Sequence, residues 1–567
     1  MKKMLTLILA LVMLACVFAG CSKQPDPSAE ADPSDSATTD TEDTENTQSA
    51  EEITSGDEEL EPVTLKWYYV GDEMEGSADV IEAFNKKLAD VLPNTTLEIV
   101  YVGSYDPYFE QWPLLLAGGE EMDIAWEGWG TNLAQDAEDG NVLPLSELMN
   151  KYAPNLVKES ETWSADYNSC SKDGELYAIP SIQPTVREGK QMMIDPSVAE
   201  YFDIDAILEE THSNSKLTER FYDLLEEGIQ KAIDAGALTL GDNSWYINTE
   251  IMPLAVRGYV SLDASGMSGT LGNYFIDPES DSGEVLYLYD IPEVQMAAER
   301  MKKWADLGYF TQAQIAGQQQ EGALEVLSAN TQSTGSWQGA DERGVKSGIG
   351  NDGNEKTILL LDLPEQNYVG PTSFAFATAQ VIPYTSKNPE RAMMLLNLLH
   401  DEPGTVGNDL MNLLCYGFEA NSEEAAEYGW ANYTAVEEDG QMYADPSIRN
   451  GADSKHTMTN WVMGNTYKIM HDGGSLTTAA NKAYAMDFWE NKYPTFKTCI
   501  VSNMQPSSLD VATELESVSV IYNEYKEQLK MGGGLDLLNE CVEKMNNSGL
   551  NTIKENLKAQ IDAFNAQ

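Results

Sequence analysis

Basic residues, histidines and cysteines are scarce in this 567-residue sequence. Lys and Arg number 34 against 93 Asp and Glu, so the formal net charge is −59. A body this acidic repels other polyanions, which excludes nucleic acid as a partner. After the first twenty residues no uninterrupted apolar run is long enough to cross a bilayer. The sequence therefore predicts a folded acidic body outside the membrane.

Catalytic and metal-binding motifs are also missing. The sequence has no GxSxG, HExxH or P-loop pattern, and its four histidines form no metal-ligand spacing. One GxGxxG occurs at Gly348, Gly350 and Gly353, but a strand pattern follows it, so we interpret it as a turn. We expect no enzymatic activity, no cofactor and no metal. A calcium ion on the loop Asp277–Gly283 stays an open alternative, although this loop departs from the EF-hand pattern.

The cysteines are too dispersed for a zinc site. No CxxC pair occurs and no histidine lies near any of them. Two disulfides could form in three pairings among the four cysteines of the body, Cys170, Cys415, Cys499 and Cys541, and the sequence does not decide whether any forms.

The amino terminus has the pattern of an export signal. Lys2 and Lys3 precede the apolar run Met4–Ala15, and small residues lead to Cys21. This ending resembles the bacterial lipobox, which implies a signal peptide over residues 1–20, lipidation of Cys21 and a position at the outer face of the cell membrane. A plain signal peptide or an amino-terminal anchor helix is the alternative.

Residues 21–61 lack the composition of a folded segment. Between residues 22 and 61 the large apolar residues are Ile53 and Leu60, and fourteen acidic residues accompany the single base Lys23. Such a chain cannot collapse, and its like charges keep it extended. We predict a disordered tether that ends where the ordered body begins at Pro62.

The ordered chain begins with a β-α-β-α-β pattern. Val63, Leu65 and Trp67 alternate as in a strand, and residues 80–88 have helical spacing. A second strand (97–101), a short helix (114–116) and a buried strand (122–126) follow. Right-handed crossovers make this a parallel sheet, and ligands of such sheets lie beyond the carboxyl ends of the strands.

Several short motifs occur in an order and spacing that resemble those of the bacterial extracellular solute-binding proteins of the sugar-binding, maltose-binding-like class. They are Phe84-Asn85, Pro93-Asn94, Leu116-Ala117-Gly118-Gly119, Gly140-Asn141-Val142-Leu143-Pro144-Leu145, Asp173-Gly174-Glu175-Leu176-Tyr177-Ala178-Ile179-Pro180 and Ser386-Lys387-Asn388-Pro389-Glu390-Arg391-Ala392. The segment Asn412–Glu419 and the long helical tail resemble the larger lipoprotein subfamily associated with complex-sugar uptake. Ala420 and Asn421 stand where that subfamily has Gly and Lys.

This resemblance implies a two-lobed, periplasmic-binding-protein-like α/β fold with a ligand cleft and an extended helical carboxyl-terminal part. Lobe 1 would comprise residues 62–186 and 371–412, and lobe 2 residues 187–370 and 413–567, with Ser373–Ala377 as the returning strand. The implied function is that of a monomeric, lipid-anchored substrate-binding component that delivers a sugar or oligosaccharide to the permease of an ABC importer. A secreted carbohydrate-active enzyme or a surface adhesin is the alternative.

A sugar site needs aromatic platforms for the C–H faces of the ring and carboxylates or amides for its hydroxyls. Trp67 and Trp304 lie in strand and helix patterns, which predicts core positions for both. Trp337 stands where the resemblance implies a cleft-facing tryptophan of lobe 2, and Trp126, Glu127 and Trp129 lie at a strand end of lobe 1. The weaker ligand candidates are Tyr105, Tyr108, Arg187, Tyr259 and Trp430.

Overall fold

The computed structural model describes residues 60–566, except 129, 185, 187, 242–243, 264–270, 311–313, 315–322, 331–335, 351, 372–377, 439–440, 445–453 and 471–478. The predicted signal peptide, Cys21 and nearly all of the tether lie outside the described residues. Leu60 is half-buried against the apolar core, and its carbonyl oxygen accepts a hydrogen bond from the Asn94 amide at 2.8 Å. The ordered body therefore already includes Leu60, two residues before the predicted start. None of the helices in these ranges is long and apolar enough to cross a membrane.

Strands and helices alternate along much of the described chain. The strands are β1 (Val63–Val70), β2 (Thr95–Gly103), β3 (Ile124–Gly128), β4 (Ser171–Lys172), β5 (Glu175–Leu176), β6 (Ile179–Pro180), β7 (Gln191–Ile194), β8 (Trp245–Ile247), β9 (Val260–Ser261), β10 (Tyr274–Ile276), β11 (Leu286–Tyr287), β12 (Leu324–Asn330), β13 (Val345–Ile349), β14 (Glu355–Leu360), β15 (Thr378–Val381), β16 (Ala435–Glu438) and β17 (Gln441–Ala444). The α-helices are α1 (Ser77–Val91), α2 (Tyr105–Gly118), α3 (Leu133–Glu138), α4 (Ser146–Tyr152), α5 (Pro154–Thr162), α6 (Ser164–Ser169), α7 (Ile204–Ser213), α8 (Glu219–Asp234), α9 (Pro292–Asp306), α10 (Pro389–Leu399), α11 (Val406–Tyr416), α12 (Glu423–Tyr428), α13 (Asn460–Met463), α14 (Ala479–Asp487), α15 (Ala512–Gln528), α16 (Gly534–Asn546) and α17 (Leu550–Asn565).

The first sheet has the strand order β2-β1-β3-β15-β6. β1 pairs in parallel with β2 and β3, which confirms the predicted β-α-β-α-β unit, whereas β15 runs antiparallel to β3 and β6. Helix α1 buries Val80, Phe84 and Leu88 at helical spacing, and α2 ends where Gly119 adopts a φ of 68°. Trp67 is fully buried, as its strand pattern predicted.

The second sheet has the order β13-β14-β7-β12-β8 and carries its own core. Helix α9 buries Trp304 completely, which confirms the core prediction for that residue. The GxGxxG glycines belong to the hairpin that β13 and β14 form: Gly348 lies in β13, and in the turn Gly353 donates a backbone hydrogen bond to Gly350. The carboxyl-terminal helices α15 to α17 pack on this second core.

The first core continues much further along the chain than the sequence predicted. It includes helix α11 and buried side chains up to Ile469, with Met470 packed against it. The apolar face of α11 packs on α1 and on the first core, so residues beyond the predicted departure at Leu413 still belong to the first core, and the lobe boundary itself stays a prediction. The second core takes up the chain again near Cys499.

Judged from the residues that the structure describes, the chain passes between the two cores three times, between Pro180 and Gln191, between Leu361 and Thr378, and between Met470 and Cys499. We call the described residues of these stretches the three crossing segments. The predicted returning strand 373–377 lies outside the described residues, and β15 begins directly after it. Cys170, Cys415, Cys499 and Cys541 form no disulfide bond with one another.

Candidate ligand-binding site

Aromatic residues gather at the carboxyl edge of the first sheet. Strands β1, β2 and β3 are parallel, so their carboxyl ends meet at one edge, where α2 begins. The ring of Trp126 contacts those of Tyr105, Tyr108 and Phe109 at centroid distances of 5.9, 5.3 and 6.0 Å. The structure thus brings together three predicted ligand residues and Phe109, which the sequence analysis missed.

Two of these candidates are buried and so do not present a face to a ligand. Trp126 is 1 % exposed, and its indole N–H donates to the Thr378 hydroxyl on the neighbouring strand β15 at 2.5 Å. Tyr108 is fully buried and donates to the Trp126 carbonyl at 2.7 Å. Neither side chain is exposed in this conformation, because long-range pairing with β15 covers the strand end, and ligand contact by the two residues stays a prediction.

Glu127 is also turned into the protein instead of towards solvent. Its side chain accepts a hydrogen bond from Thr131 and lies beside the carboxylate of Asp136, which itself accepts from Trp112 at 2.9 Å and Asn141 at 2.8 Å. Burial, followed by repulsion from Asp136, raises the pKa of Glu127 well above its ordinary value. The Glu127 carboxylate is therefore buried in this conformation, and its role as an acceptor for sugar hydroxyls stays a prediction.

The outer layer of this edge is formed by half-exposed rings. Tyr105 and Phe109 stack on each other at 6.4 Å, and they cover Trp126. Trp430 lies at the start of α1, where its indole N–H donates to Asp79 at 2.8 Å and its ring packs on Phe418 at 4.5 Å. Tyr105, Phe109 and Trp430 are therefore the half-exposed aromatic residues described at this edge of the first lobe.

Trp337 packs among residues of the second lobe and is half-exposed. Its indole N–H donates to the Asp362 carbonyl at 3.2 Å, and its ring lies 6.2 Å from that of His212. Its backbone N–H donates to the carboxylate of Glu188 at 2.9 Å. The loop that carries Trp337 is thus attached to the first crossing segment, so Trp337 stays a ligand candidate beside the connection between the lobes.

Of the three other candidates, one is bonded to neighbouring side chains and two lie outside the described residues. Tyr259 donates its hydroxyl to Glu293 at 2.8 Å, and the ammonium of Lys216 lies 4.5 Å from its ring centroid. Lys216 also pairs with Asp277 at 2.6 Å, in the loop considered for calcium. Trp129 and Arg187 lie outside the described residues.

The three crossing segments share a small apolar cluster that the sequence analysis missed. Val186 comes from the first segment and Val369 from the second. The third segment contributes four aromatic residues, Phe488, Trp489, Tyr493 and Phe496. Four aromatics within nine residues stand out against 9 % in the whole chain, and this local enrichment is the signal that could have revealed the cluster.

Polar groups accompany this cluster. Glu188 is 1 % exposed and accepts from the Tyr484 hydroxyl at 2.5 Å, and its carboxylate lies 3.5 Å from the ammonium of Lys492. Lys492 in turn lies 4.0 Å from the ring centroid of Tyr484. Aromatic faces beside ionic hydrogen-bonding groups are the combination that a polyhydroxylated ligand requires. Within the described ranges no group of three or more His, Cys, Asp or Glu side chains could hold a metal ion.

Comparisons with known proteins give a relative and a family match. A carbohydrate ABC transporter substrate-binding protein of Streptococcus pneumoniae serotype 4 is 24 % identical over 379 residues, which cover 66 % of this chain and 67 % of that protein. Residues 506–566, which include the carboxyl-terminal helices α15 to α17, match the family described as a domain of unknown function, DUF3502.

Solved structures resemble the chain over most of its length. The N-glycan transport solute-binding protein of Streptococcus pneumoniae, in complex with Man1GlcNAc, has a TM-score of 0.57 at 17 % identity and covers 89 % of this chain and 100 % of its own. An HMO-binding solute-binding protein from Bifidobacterium longum infantis has a TM-score of 0.55 at 14 % identity, with the same coverage. These likenesses confirm the two-lobed α/β fold, which is the fold of extracellular solute-binding proteins.

Proposed function

We propose that this chain, which has the fold of the extracellular solute-binding proteins, is the substrate-binding component of an ABC importer and captures a sugar or oligosaccharide. The observation that carries the proposal is the pair of separately packed cores joined by three crossing segments, with half-exposed aromatic side chains on both lobes and on the third crossing segment. The relative named for carbohydrate transport and the glycan complexes of similar structures support the same ligand class.

Lobe closure follows from this arrangement. A ligand that touches both lobes stabilises the closed state only by the contacts it makes with each of them. We assign Tyr105, Phe109 and Trp430 as platforms of the first lobe, and Trp337 as the platform of the second. Trp489 on the third crossing segment lies where both lobes meet, so it would contact the ligand in either state. The closed form would then present both lobe tips to a permease.

The amino-terminal part of the proposal concerns the membrane. Lipidation of Cys21 would anchor the chain, and the acidic segment 21–61 would hold the folded body away from the bilayer. Mass spectrometry of membrane-extracted protein should then detect diacylglyceryl-Cys21 as the first residue. A mature chain that begins at another residue and carries no lipid would contradict the anchor and leave the binding function untouched.

Ligand binding can be tested by thermal shift of the purified protein with a glycan panel of glucose, maltotriose, Man1GlcNAc and Man5GlcNAc. A ligand at a hundred times its Kd should stabilise the protein by about 2.7 kcal/mol. Trp489→Ala and Trp337→Ala should each weaken binding roughly thirtyfold, because one buried aromatic anchor commonly carries about 2 kcal/mol. Tyr384→Ala, which removes an aromatic ring that is 46 % exposed, is the control. Product release from any glycan, or no stabilisation by any of the four, would contradict the proposal.

A further inference from the structure

A cavity of about 280 Å³ opens on the first lobe, apart from the aromatic edge described above. It lies between the end of helix α5 and the segment 465–468, and its walls include Glu159, Trp163 and Tyr467. The segment 464–466 is bonded to the first crossing segment, since Ile182 donates to Gly464 at 3.1 Å and accepts from Thr466 at 2.9 Å. The cavity therefore lies beside the connection between the lobes.

One wall of the cavity is aromatic. The rings of Trp163 and Tyr467 lie 4.7 Å apart with an interplanar angle of 35°, and both side chains are half-buried. The ammonium of Lys482, from the third crossing segment, lies 6.0 Å from the centroid of Tyr467. Paired aromatic faces of this kind supply the flat apolar surface on which the C–H face of a sugar ring packs.

The opposite wall carries a balanced set of charges. Glu159 is fully buried and contacts the imidazole of His400 at 2.9 Å, the amide of Asn465 at 2.9 Å and the ammonium of Lys468 at 3.1 Å. Burial opposes its ionisation, yet the interactions with His400, Lys468 and Asn465 outweigh burial and lower the pKa of Glu159 to about 2. The charged residues of the lining are two bases, Lys158 and Lys468, and two acids, Glu159 and Glu402, so their formal charges cancel and favour a neutral ligand over an ion.

We propose that this cavity is a subsite for one neutral sugar ring, which packs on Trp163 and hydrogen-bonds to polar side chains that line the cavity, among them Lys158, Glu402 and Lys468. The volume lies just below the usual range of about 300–1,000 Å³ for small-molecule sites, so it fits a single ring instead of a whole oligosaccharide. The ring is either the end residue of a glycan held between the lobes or a separate saccharide. The inference rests on the proposed function.

Blocking the cavity from its rim tests the proposal. Thr162 is an exposed lining residue, so Thr162→Phe fills the opening without removing core packing, and Ala165→Phe places the same ring at an exposed position outside the lining. Trp163→Ala removes the platform itself. Each variant is titrated calorimetrically with the glycan panel named above, and circular dichroism checks its fold.

An end residue predicts one bound glycan per protein. Thr162→Phe and Trp163→Ala should then weaken Man5GlcNAc binding about tenfold or more and leave Man1GlcNAc unchanged. A separate saccharide predicts a second, weaker site that both variants abolish. The proposal is overturned if Thr162→Phe binds every panel member as Ala165→Phe does. If the wild-type protein binds no panel member, the proposed function fails and this inference fails with it.

Discussion

Glu188 is the side chain whose loss should most weaken the connection between the lobes. It lies on the first crossing segment, is 1 % exposed, and accepts from the backbone of Trp337 at 2.9 Å and from Tyr484 at 2.5 Å. Its carboxylate also lies 3.5 Å from the ammonium of Lys492. One carboxylate therefore joins the second lobe to the first and third crossing segments.

The size of the effect follows from these three contacts. A hydrogen bond to a charged group contributes about 1.5–3 kcal/mol, whereas the pair with Lys492, whose side chain is one-third exposed, adds less than about 1 kcal/mol. In Glu188→Gln the side-chain oxygen can still accept from Trp337 and Tyr484 but loses the charge, so we expect a loss of about 2 kcal/mol. Glu188→Ala leaves both donors unpaired in a buried place, and we expect about 4 kcal/mol.

Urea unfolding of the ligand-free protein measures this loss. Glu490→Gln removes a carboxylate from an exposed position on the third crossing segment and should change the unfolding free energy by less than about 0.5 kcal/mol. If the unfolding free energy of Glu188→Gln differed from that of Glu490→Gln by no more than about 0.5 kcal/mol, the role of Glu188 in joining the crossing segments would be refuted.

Three further perturbations have expected outcomes. The pKa of Glu159 is about 2 in the fold and about 4.5 in an unfolded chain, so the stability that its ionised form contributes is present above pH 4.5 and is lost as pH falls towards 2. Acid should therefore destabilise the wild type more than Glu159→Gln. Denaturation measured across this pH window should show a difference of about 3 kcal/mol. The raised pKa of Glu127 works in the opposite direction, because the wild type loses stability as pH rises above the unfolded pKa. The unfolding free energy of Glu127→Gln should therefore rise relative to that of the wild type by up to about 1.4 kcal/mol per pH unit. A difference that does not change with pH would show that Glu127 is ionised in the fold. Gly532 has a φ of 102°, and a Cβ there would lie 2.7 Å from the Cβ of Ala305, so Gly532→Ala should lower the stability in thermal unfolding by about 2 kcal/mol or more. The control is Gly236→Ala, where φ is 75° and the surrounding space is open, and it should lower the stability by about 1 kcal/mol. Equal losses in the two variants would refute the steric argument.

Several features of the fold could be predicted because they depend on neighbours along the chain. The alternation around Trp67 and the helical spacing around Trp304 predicted two fully buried side chains, and both are buried. The order of strands and helices from Val63 to Gly128 predicted the parallel unit of the first sheet. The spacing of apolar side chains and the turn residues are local properties, so they can be predicted directly from the sequence.

The candidate site depended on pairings that local patterns do not encode. The position of Trp126 at a strand end predicted an exposed aromatic platform. In the structure β15, some 250 residues later, covers the indole, and the Thr378 hydroxyl of β15 accepts its N–H. The cluster of Val186, Val369 and Phe488 unites three segments that are each more than 100 residues apart. The sequence by itself determined the acidic charge, the strand-and-helix order and the local core residues, because these follow from the period of the side chains. Only the tertiary structure decided which aromatic faces are covered and where the first lobe ends, because burial depends on which distant segment packs against each face.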